Sequence, residues 1–507
     1  MNERKYNIRI ASEGRELVTI DDFRLAKSAI TVLLGESGIG KSLTSMAIAG
    51  LLDPDEFDVQ IDGKPYAAYL KSQEAIDIRR NGFFVFQEPS SHLNPLITLR
   101  AQLREGSLAE APDDEHILKK LWQGSSSSSV ERILDVYPKP YRPSGGEKQR
   151  ILAAMAFKKM AASVMHAQES IFFFDEATGN LDNGLRDEFL DLLVDNFSHR
   201  KMTVVLITHD YSIISRFTKI YPAIASHVLY RELLLERVKL HLRDFLPIEY
   251  LSWLEKRRAS TRIAKRTETI LRLQPHVSVF GRTLSISRDR EGRNYEPLAI
   301  RKGVVTYLKA PSGTGKTTIV KLMMGLIKPE TMSMELGGAV YSEKTNRKVW
   351  AQRVWGRQMT MVFQHADEAL NQNSKVKDVF NGLPIAGPLN EKTIVKSLSE
   401  LFEEEPSCDF LNTRIKYLSG GQKQRLNLLR SLVLRTDILI LDEPLNGLDF
   451  ASAAKVIAKI EMKLQSGIGV LVISHNEEVF DTLAATEDIY YLHASNPNRT
   501  LPNTSKR

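Results

Sequence analysis

The sequence contains almost no cysteine. Cys408 is the single cysteine among 507 residues, which excludes a disulfide framework and a cysteine-rich zinc site and fits a reducing cytosol. No run approaches the roughly 18 apolar residues of a membrane span, and no apolar core follows the charged N-terminal residues 1–5. We therefore expect neither a membrane span nor an exported precursor, but a soluble intracellular protein.

The composition is that of an ordinary folded protein. Hydrophobic residues make up 42% and charged residues 26% of the chain, which allows large packed cores. At roughly 150 residues per domain, this length suggests about three domains or two large ones. The net charge of +7 permits contact with phosphates or an anionic membrane surface but establishes neither.

Five landmarks occur twice, in the same order. Their offsets range from 266 to 277 residues (475 − 209 = 266; 364 − 87 = 277). We therefore predict two homologous domains in tandem. The paired landmarks are Gly35–Ser42 with Ala310–Thr317, Phe86-Gln87 with Phe363-Gln364, Ser144–Gly146 with Ser419–Gly421, Asp175-Glu176 with Asp442-Glu443, and Thr208-His209 with Ser474-His475.

The composition changes between these halves. Leu233–Leu235 and Tyr250–Leu254 are typical of amphipathic helix, and Lys256–Arg258 begins a basic run. A helical linker with a charged face is the preferred interpretation, and contact with anionic lipid is the alternative. We predict a first domain at 1–229, this linker at 230–269, a second domain at 270–495 and a flexible tail at 496–507.

A glycine-rich loop in each half lies between an apolar run and a helical pattern, the setting that a phosphate-binding loop requires. Glycines let successive N–H groups turn towards a phosphate, and the helix N-terminus adds partial positive charge. Lys41 supplies a full charge to the β- and γ-phosphates, and the Ser42 hydroxyl can bind Mg²⁺. The predicted nucleotide-binding residues are Gly35, Glu36, Ser37, Gly38, Ile39, Gly40, Lys41 and Ser42, and Ala310, Pro311, Ser312, Gly313, Thr314, Gly315, Lys316, Thr317 and Thr318.

Ala310 stands where the first loop has a glycine. The change is harmless if its φ is negative, and costs about 1 kcal/mol if its φ is positive.

Each half also contains an apolar run that ends in two acids, Asp175-Glu176 and Asp442-Glu443. Such runs are typical of strands buried on both faces of a parallel sheet, where ligands bind beyond the strand ends. We predict that the aspartate helps to hold Mg²⁺ and that the glutamate orients or deprotonates the attacking water.

A histidine ends a further apolar run in each half, and a glutamine follows a Val-Phe pair. His209 and His475 lie 33 and 32 residues after the acid pairs (209 − 176 = 33; 475 − 443 = 32), and we expect each to contact a γ-phosphate. Gln87 and Gln364 are predicted to sense the metal and the water. The predicted magnesium residues are Ser42, Gln87, Asp175, Thr317, Gln364 and Asp442, and the predicted catalytic residues are Glu176, His209, Glu443 and His475.

These residues resemble the ATP-binding cassette (ABC) ATPases, over about residues 5–225 and 270–490. Tyr417–Arg425 is similar to the signature motif of that family almost letter for letter, and Pro143–Arg150 is a second version. Gly179–Asp182 and Gly447–Asp449 resemble its D-loops. The resemblance implies two α/β P-loop NTPase domains, each with a mostly parallel sheet core and a helical subdomain, with ATP and Mg²⁺ as cofactors.

The resemblance also implies that the two cassettes pair head to tail, so that each signature closes on the nucleotide held by the other half. Additional nucleotide-binding residues are then Ser144, Gly145, Gly146, Ser419, Gly420, Gly421 and Gln422. Ala310, Pro143 and Glu147 depart from the family pattern and all fall at the second site. We therefore expect two hydrolytic sites, of which the second is slower.

The stretch Phe86–Pro95 is similar to ATPases that drive dipeptide, oligopeptide and nickel importers, and Asp367–Asn371 is a weaker copy. This implies an ATPase at the cytoplasmic face of the cell membrane that works with transmembrane permease subunits and an extracytoplasmic solute-binding protein, without nucleic acid. The helical segments near 88–142 and 365–417 are predicted to contact the permease.

Other classes remain as alternatives. Sugar, vitamin and metal importers share the tandem architecture. Cytosolic ABC proteins that act on ribosomes typically have Asn-His-Leu-Asp in the D-loop, whereas this chain has Gly-Asn-Leu-Asp and Asn-Gly-Leu-Asp. DNA-repair ABC proteins need zinc-binding cysteines that are missing here. Tyr6 and Phe280 are the candidates for stacking on adenine.

Overall fold

The computed structural model describes residues 2–105, 108, 115–122, 130–131, 133–134, 143–162, 170–179, 183–200, 202–236, 239–259, 268–311, 313–385, 390–402 and 407–495. The chain divides into two compact units, Met1–Leu251 and Ser252–Arg507. Several predicted features lie outside the described residues: Ser312, residues 180–182 of the first D-loop, residues 260–267, into which the basic run after Lys256–Arg258 continues, and the tail at 496–507.

The described part of the first unit combines ten strands with helices of four to eighteen residues. Its strands are β1 (Glu3–Ser12), β2 (Arg15–Ala26), β3 (Ile30–Gly35), β4 (Asp58–Ile61), β5 (Lys64–Pro65), β6 (Phe83–Val85), β7 (Ile171–Asp175), β8 (Thr203–Ile207), β9 (Val228–Glu236) and β10 (Lys239–Asp244). Its helices are α1 (Lys41–Ala49), α2 (Tyr66–Leu70), α3 (Gln73–Asn81), α4 (Leu99–Gln102), α5 (Glu115–Leu121), α6 (Gly145–Ala162), α7 (Asn183–Arg200) and α8 (Ser212–Lys219), with 3₁₀ turns at Pro89–Ser91 and Pro222–His227. Helix α9 runs from Pro247 to Ala259.

The second unit repeats this alternation of strands and helices. Its strands are β11 (Thr269–Leu273), β12 (His276–Val279), β13 (Arg282–Ser287), β14 (Leu298–Arg301), β15 (Val305–Lys309), β16 (Ser333–Leu336), β17 (Ala339–Ser342), β18 (Met359–Val362), β19 (Ile438–Asp442), β20 (Gly469–Ile473) and β21 (Ile489–Ser495). Its helices are α10 (Lys316–Met323), α11 (Arg347–Val349), α12 (Ala366–Ala369), α13 (Glu391–Ser399), α14 (Cys408–Asn412), α15 (Gly420–Leu432), α16 (Phe450–Gln465) and α17 (Glu477–Phe480). A π-helical segment lies at Trp350–Val354, and 3₁₀ turns lie at Val376–Phe380, Ile415–Tyr417 and Thr486–Asp488.

Both units are built on the same order of five parallel strands. The order is β9-β3-β8-β7-β6 within the ten-stranded first sheet, and β21-β15-β20-β19-β18 within a seven-stranded sheet of the second unit. A separate antiparallel sheet, β14-β11-β16-β17, completes the second unit. The predicted fold class is therefore confirmed, and the repeat seen in the sequence is a repeat of topology.

The strands that carry the motifs are buried along their whole length. All five residues of β7, β8, β19 and β20 are buried. Phe174 on β7 packs against Phe157 on α6 and Phe189 on α7, with ring centroids 5.7 and 5.3 Å apart. Phe173, which points to the opposite face, belongs to a cluster with Ala47 and Ile48 of α1. Helices thus cover both faces of the parallel sheet, which explains the continuous apolar runs.

One helix prediction was wrong. Leu233–Leu235 lies in strand β9, which pairs in parallel with β3 from Ile30 to Gly35, and Lys239–Asp244 returns beside it as β10. Leu233 is buried, whereas Leu235, two residues further along the same face of the strand, is 51% exposed. The sheet of the first unit therefore extends past residue 229, where the predicted linker begins.

The predicted helix at Tyr250–Leu254 is confirmed as part of α9. The basic run at its end is only partly solvated, because Arg257 lies over the Trp253 ring and pairs with Glu461 at 2.5 Å. Of the helices in the described part of the chain, none combines the length and apolarity needed to cross a bilayer.

Candidate functional site

The glycine-rich loop of the first unit connects β3 to α1. Gly38 and Gly40 have φ of 81° and 112°, a left-handed backbone that turns N–H groups towards one point. The ammonium of Lys41, which begins α1, donates to the carbonyl oxygens of Gly35 at 2.7 Å and Glu36 at 2.9 Å. The lysine is 5% exposed, so a full positive charge is held against the loop at the helix N-terminus.

The second loop has nearly the same backbone. Gly313 and Gly315 have φ of 77° and 108°, and the Lys316 ammonium donates to the Ala310 carbonyl at 2.6 Å. Ala310 is described and its φ is not positive, whereas the φ of Gly35 is 136°. The alanine is therefore accommodated without left-handed strain.

An aspartate ends the strand beside each loop. The Ser42 hydroxyl hydrogen bonds to Asp175, and the Thr317 hydroxyl to Asp442. Burial raises the pKa of Asp175 to about 6 against the opposing effects of Ser42 and Lys41, and burial also raises the pKa of Asp442. Each carboxylate keeps one buried oxygen, Asp175 Oδ1 or Asp442 Oδ2, without a hydrogen-bond partner in the described part of the chain.

These hydroxyl and carboxylate pairs fit Mg²⁺, which prefers oxygen ligands and is bound by one or two protein groups together with phosphates. A cation there would satisfy the buried oxygen of each aspartate and lower the cost of its ionisation.

The next residue in each unit is the candidate catalytic glutamate, which occupies a strained turn. Glu176 and Glu443 have φ of 47° and 48°. Their amides donate to the carbonyls of Ile207 at 3.0 Å and Ile473 at 2.8 Å on the neighbouring strand. Left-handed backbone at a residue other than glycine costs of order 1–3 kcal/mol and persists where surrounding structure imposes it. Both glutamates are held in one place by the sheet.

In the first unit the glutamate is paired with the predicted histidine. His209 Nδ1 lies 2.8 Å from Glu176 Oε1. Burial acts to raise the pKa of Glu176, but His209 and Lys41 outweigh it, so the pKa is lowered. Burial likewise acts to lower the pKa of His209, and Glu176 reverses this so that the pKa is raised. The favoured state is a carboxylate beside a protonated imidazole.

In the second unit the glutamate has other partners. The Ser474 hydroxyl and the His475 amide donate to Glu443 Oε2 at 2.9 and 3.1 Å, while His475 Nε2 is 3.4 Å from Oε1. Burial raises the pKa of Glu443 to about 7, although the Ser474 and His475 donors oppose it. This glutamate is held mainly by neutral donors.

The difference begins one residue before each histidine. Thr208 Oγ1 accepts from the Asp210 amide at 3.0 Å, whereas Ser474 both accepts from the Asn476 amide at 3.1 Å and donates to Glu443. The backbone carbonyl of Ser474 is also fixed by the Tyr307 hydroxyl at 2.8 Å. Sequence analysis missed Ser474 and Tyr307, although Ser474 adjoins the predicted histidine.

Asp210 was also missed. It forms an ion pair with Arg186 of α7, and burial, which acts to raise its pKa, is outweighed by Arg186 so that the pKa is lowered. No spacing in the sequence indicates this pair, because the two residues lie on separate elements 24 positions apart.

Each signature motif opens a helix through a reciprocal cap. The Ser419 amide donates to Gln422 Oε1 at 3.0 Å, and the Gln422 amide donates to Ser419 Oγ at 3.1 Å. In the first unit the amide and hydroxyl of Ser144 both donate to Glu147 Oε2, at 2.7 and 2.8 Å. Glu147 therefore takes the capping position of Gln422 but places a carboxylate there.

The glutamines follow the short edge strands β6 and β18. Gln87 comes two residues after β6, and Gln364 two residues after β18. The signature helix α6 contacts the first of these segments, since Gln149 Nε2 donates to the Phe86 carbonyl at 3.2 Å. Within each unit the loop, the acid pair and the histidine thus lie at the carboxyl ends of adjacent parallel strands, and the signature helix contacts the glutamine segment.

The two candidates for adenine stacking have different fates. Tyr6 is 1% exposed and donates its hydroxyl to Glu74 at 2.8 Å, so this candidate is wrong: its ring is enclosed in the core of the first unit. Phe280 is 73% exposed at the tip of the β12–β13 hairpin. In the first unit, Glu13 stands at the corresponding position in the turn between β1 and β2. Its φ is 51°, and that of Phe280 is 52°.

We predict that Gly35→Ala destabilises the protein by about 1–3 kcal/mol, whereas Ala310→Gly changes its stability by less than about 1 kcal/mol. A Cβ at Gly35 would lie 2.6 Å from the Leu233 carbonyl oxygen, at a φ of 136°. Denaturant unfolding midpoints of both variants check this. Equal effects would contradict the assigned backbone difference.

We predict that Glu443→Gln and Glu176→Gln have opposite effects on the nucleotide-free protein. The folded pKa of Glu443 is raised from 4.5 to about 7, so its stabilisation is present below pH 4.5 and is lost as pH rises through 7. Glutamine has no charge to bury. The free energy of unfolding of Glu443→Gln, relative to wild type, should therefore rise by about 2 kcal/mol from pH 5 to pH 8.

The pKa of Glu176 is lowered, so its contribution is present above its ordinary pKa and is lost as pH falls through the folded value. Glu176→Gln should therefore be less stable than wild type at pH 8. Unfolding in denaturant with a metal chelator, at pH 5 and pH 8, measures both. The same sign at pH 8 would contradict the different surroundings of the two glutamates.

The family model described as ABC transporter matches residues 19–179 and 297–446. The peptidoglycan transport ATP-binding protein YejF of Agrobacterium fabrum is 25% identical over 96% of this chain and 89% of its own length. The glutathione import ATP-binding protein GsiA of Escherichia coli K12 is 24% identical over 96% of this chain and 84% of its own length.

Two solved structures share the fold at 17% identity and a TM-score of 0.59. One is the archaeal ribosome recycling factor aABCE1 in complex with the stalk protein aP1, matched over 92% of this chain and 86% of the other. The second is the RNase-L inhibitor, matched over 96% and 89%. With both cassettes matched and the motif-bearing strands in the same order in each, the chain belongs to the ABC transporter family, as an ATP-binding protein with two fused cassettes.

Proposed function

We propose that this protein binds and hydrolyses ATP at two sites and thereby powers import of peptides or nickel-type solutes across a membrane. One observation carries the proposal: in each unit a lysine-bearing loop, an aspartate-glutamate pair and a histidine stand at neighbouring strand ends. An ATPase that does mechanical work by closing around two nucleotides needs two such sets, and this chain has two.

The residues of each unit divide the work by chemistry. Lys41 and Lys316 hold positive charge where the β- and γ-phosphates bind, and the loop amides add donors to the same anion. Glu176 and Glu443 orient or deprotonate the attacking water, and His209 and His475 contact the γ-phosphate. The strained turns after β7 and β19 hold the glutamates in place before substrate arrives.

Ser42 and Asp175 would hold Mg²⁺ in the first unit, and Thr317 and Asp442 in the second, with Gln87 and Gln364 as sensors of metal and water. A bound Mg²⁺ supplies charge that neutralises the phosphates during phosphoryl transfer. The buried oxygen of each aspartate that finds no hydrogen-bond partner within the described ranges supports this assignment.

The two cassettes, in this proposal, pair head to tail around two nucleotides. Ser419 and Gly421 complete the site of Lys41, and Ser144 and Gly146 complete the site of Lys316. A serine hydroxyl and free amides at a helix start form a second anion site, and each signature motif has this form. ATP then closes the pair, and hydrolysis reopens it.

The second site is proposed to be slower. Glu147 brings a carboxylate to the signature that serves it, and the pKa of Glu443, raised to about 7 by burial, leaves this glutamate only partly ionised near pH 7. The first site combines a neutral Gln422 cap with an ionised Glu176. Both differences favour hydrolysis at the site of Lys41.

An importer is supported by curated relatives over nearly the whole chain, which are named for glutathione import and peptidoglycan transport. The proposed partners are transmembrane permease subunits and an extracytoplasmic solute-binding protein, with this chain at the cytoplasmic face of the membrane. Tandem ATPases of sugar, vitamin or metal importers are the second candidate. The ribosome recycling factor shares the fold alone, and both D-loop sequences argue against that role.

We expect Glu176→Gln to lower the single-turnover rate of ATP hydrolysis by roughly 10²–10⁴-fold at its own site, because it removes the group that orients or deprotonates water. Glu443→Gln should remove only the slow phase. Lys41→Met should lose the fast phase because phosphate positioning is lost. Rapid-quench kinetics with the protein in excess over ATP measures both phases, and equal losses in the two glutamine variants would contradict the proposed asymmetry.

We also expect the chain, purified from its own cells in mild detergent, to bring down permease subunits. Mass spectrometry of the purified complex identifies them. Lys41→Met with Lys316→Met is the control, since binding to a permease does not require hydrolysis. Recovery of ribosomes in place of membrane proteins would overturn the importer proposal and leave the ATPase proposal standing.

A further inference from the structure

The short helix α12 begins two residues after Gln364, and ion pairs hold it on two sides. Asp367 Oδ1 lies 3.2 Å from the ammonium of Lys423. The next residue, Glu368, places Oε2 at 2.5 Å from the ammonium of Lys321. Gln372 Nε2 donates to the same Asp367 oxygen at 2.7 Å. We call these two ion pairs the ionic strap.

The two lysines of the ionic strap lie on the helices that start at the functional motifs. Lys321 lies on α10, whose first residue is Lys316 of the phosphate loop. Lys423 lies on α15, whose N-cap is the signature Ser419. The strap therefore connects the segment after Gln364 both to the phosphate loop and to the signature of the same unit.

The first unit holds the matching segment by different chemistry. Lys148, the counterpart of Lys423 (423 − 148 = 275), donates to the Ser90 hydroxyl at 2.9 Å. Ser90 matches Asp367 and Ser91 matches Glu368 (367 − 90 = 277; 368 − 91 = 277). Met46 stands at the position of Lys321 (321 − 46 = 275). Both carboxylates and one lysine of the strap are thus replaced by neutral side chains.

Charge and not exposure separates the two arrangements. The side chains of Asp367 and Lys423 are 64% and 17% exposed; their counterpart Ser90 is likewise exposed, and Lys148 is 7% exposed. Ion pairs that face solvent are screened by salt over a Debye length of about 8 Å at physiological ionic strength and about 3 Å at 1 M. The hydrogen bond from Lys148 joins it to a neutral hydroxyl, so there is no ion pair for salt to screen.

We propose that Lys321 and Lys423 are positioning residues that hold Gln364 through the ionic strap, so that hydrolysis at the second phosphate loop depends on ionic strength more steeply than hydrolysis at the first. The inference rests on the proposed function, because it gives Gln364 its role in sensing metal and water. The strap acts on the position of the glutamine and not on ATP binding.

The test measures the single-turnover rate constant of ATP hydrolysis at the second site alone, in a Glu176→Gln background, between 0.05 and 1 M salt. We expect Lys423→Met and Lys321→Met each to lower the rate constant about threefold at low salt, with the ATP concentration for half-saturation unchanged. Each variant should lose part of the salt dependence, and the double variant most of it, since the screened ion pairs are then absent. The exchanged pair Lys423→Asp with Asp367→Lys should recover the rate and its salt dependence.

The matched control is Lys148→Met in a Glu443→Gln background, which reads the first site. It should leave the salt dependence of that site unchanged, because no charged partner is lost. Amide hydrogen exchange of residues 364–372 without nucleotide supplies a readout independent of hydrolysis. Exchange there should rise in Lys423→Met and at 1 M salt, while exchange of residues 87–95 should not respond to salt.

Each outcome decides a separate point. Unchanged rates, salt dependence and exchange in both lysine variants would overturn the strap while the wild type still hydrolyses ATP. A rise in exchange without any change in rate would also overturn it, since the strap would then be structural only. Absence of hydrolysis in the wild type would instead overturn the proposed function.

Discussion

Carboxylates buried at the ends of parallel strands are the constraint on which the rest of each unit depends. Asp175 and Asp442 lie under a phosphate loop, each with one oxygen that has no hydrogen-bond partner among the described residues, and the adjacent glutamates occupy left-handed backbone. Burying carboxylates next to left-handed backbone costs free energy unless cations and hydrogen-bond donors surround them. The lysine at the helix start and the hydroxyl beside it supply part of that compensation.

The two halves satisfy this constraint in different ways. In the first, His209 and Glu176 form a charged pair. In the second, the Ser474 hydroxyl replaces most of the imidazole contact, and Tyr307 holds the Ser474 backbone. The loop backbone has stayed nearly identical while its surroundings have diverged. The two halves therefore share the loop geometry that binds phosphate and differ in the groups that set the pKa of the catalytic glutamate.

Much of the parallel core could be predicted, because buried strands appear in sequence as short apolar runs next to glycine loops and acid pairs. Leu233–Leu235 was mistaken for helix because three consecutive leucines carry no period of their own; their pairing with β3 decided the structure. Tyr6 was mistaken for a nucleotide contact because aromatic identity says nothing about burial. Contacts such as Arg186 with Asp210 depend on how separate elements meet, which no local pattern encodes.

The close approach of strand β9 to Gly35 has a consequence for how small a working cassette can be made. The Leu233 carbonyl lies against the first glycine of the loop, so the backbone that receives phosphate is supported by a segment encoded almost two hundred residues later. A gene fragment cut at residue 229 would remove that support and uncover an edge of the sheet. The shortest autonomous half must reach Asp244, where β10 closes the hairpin.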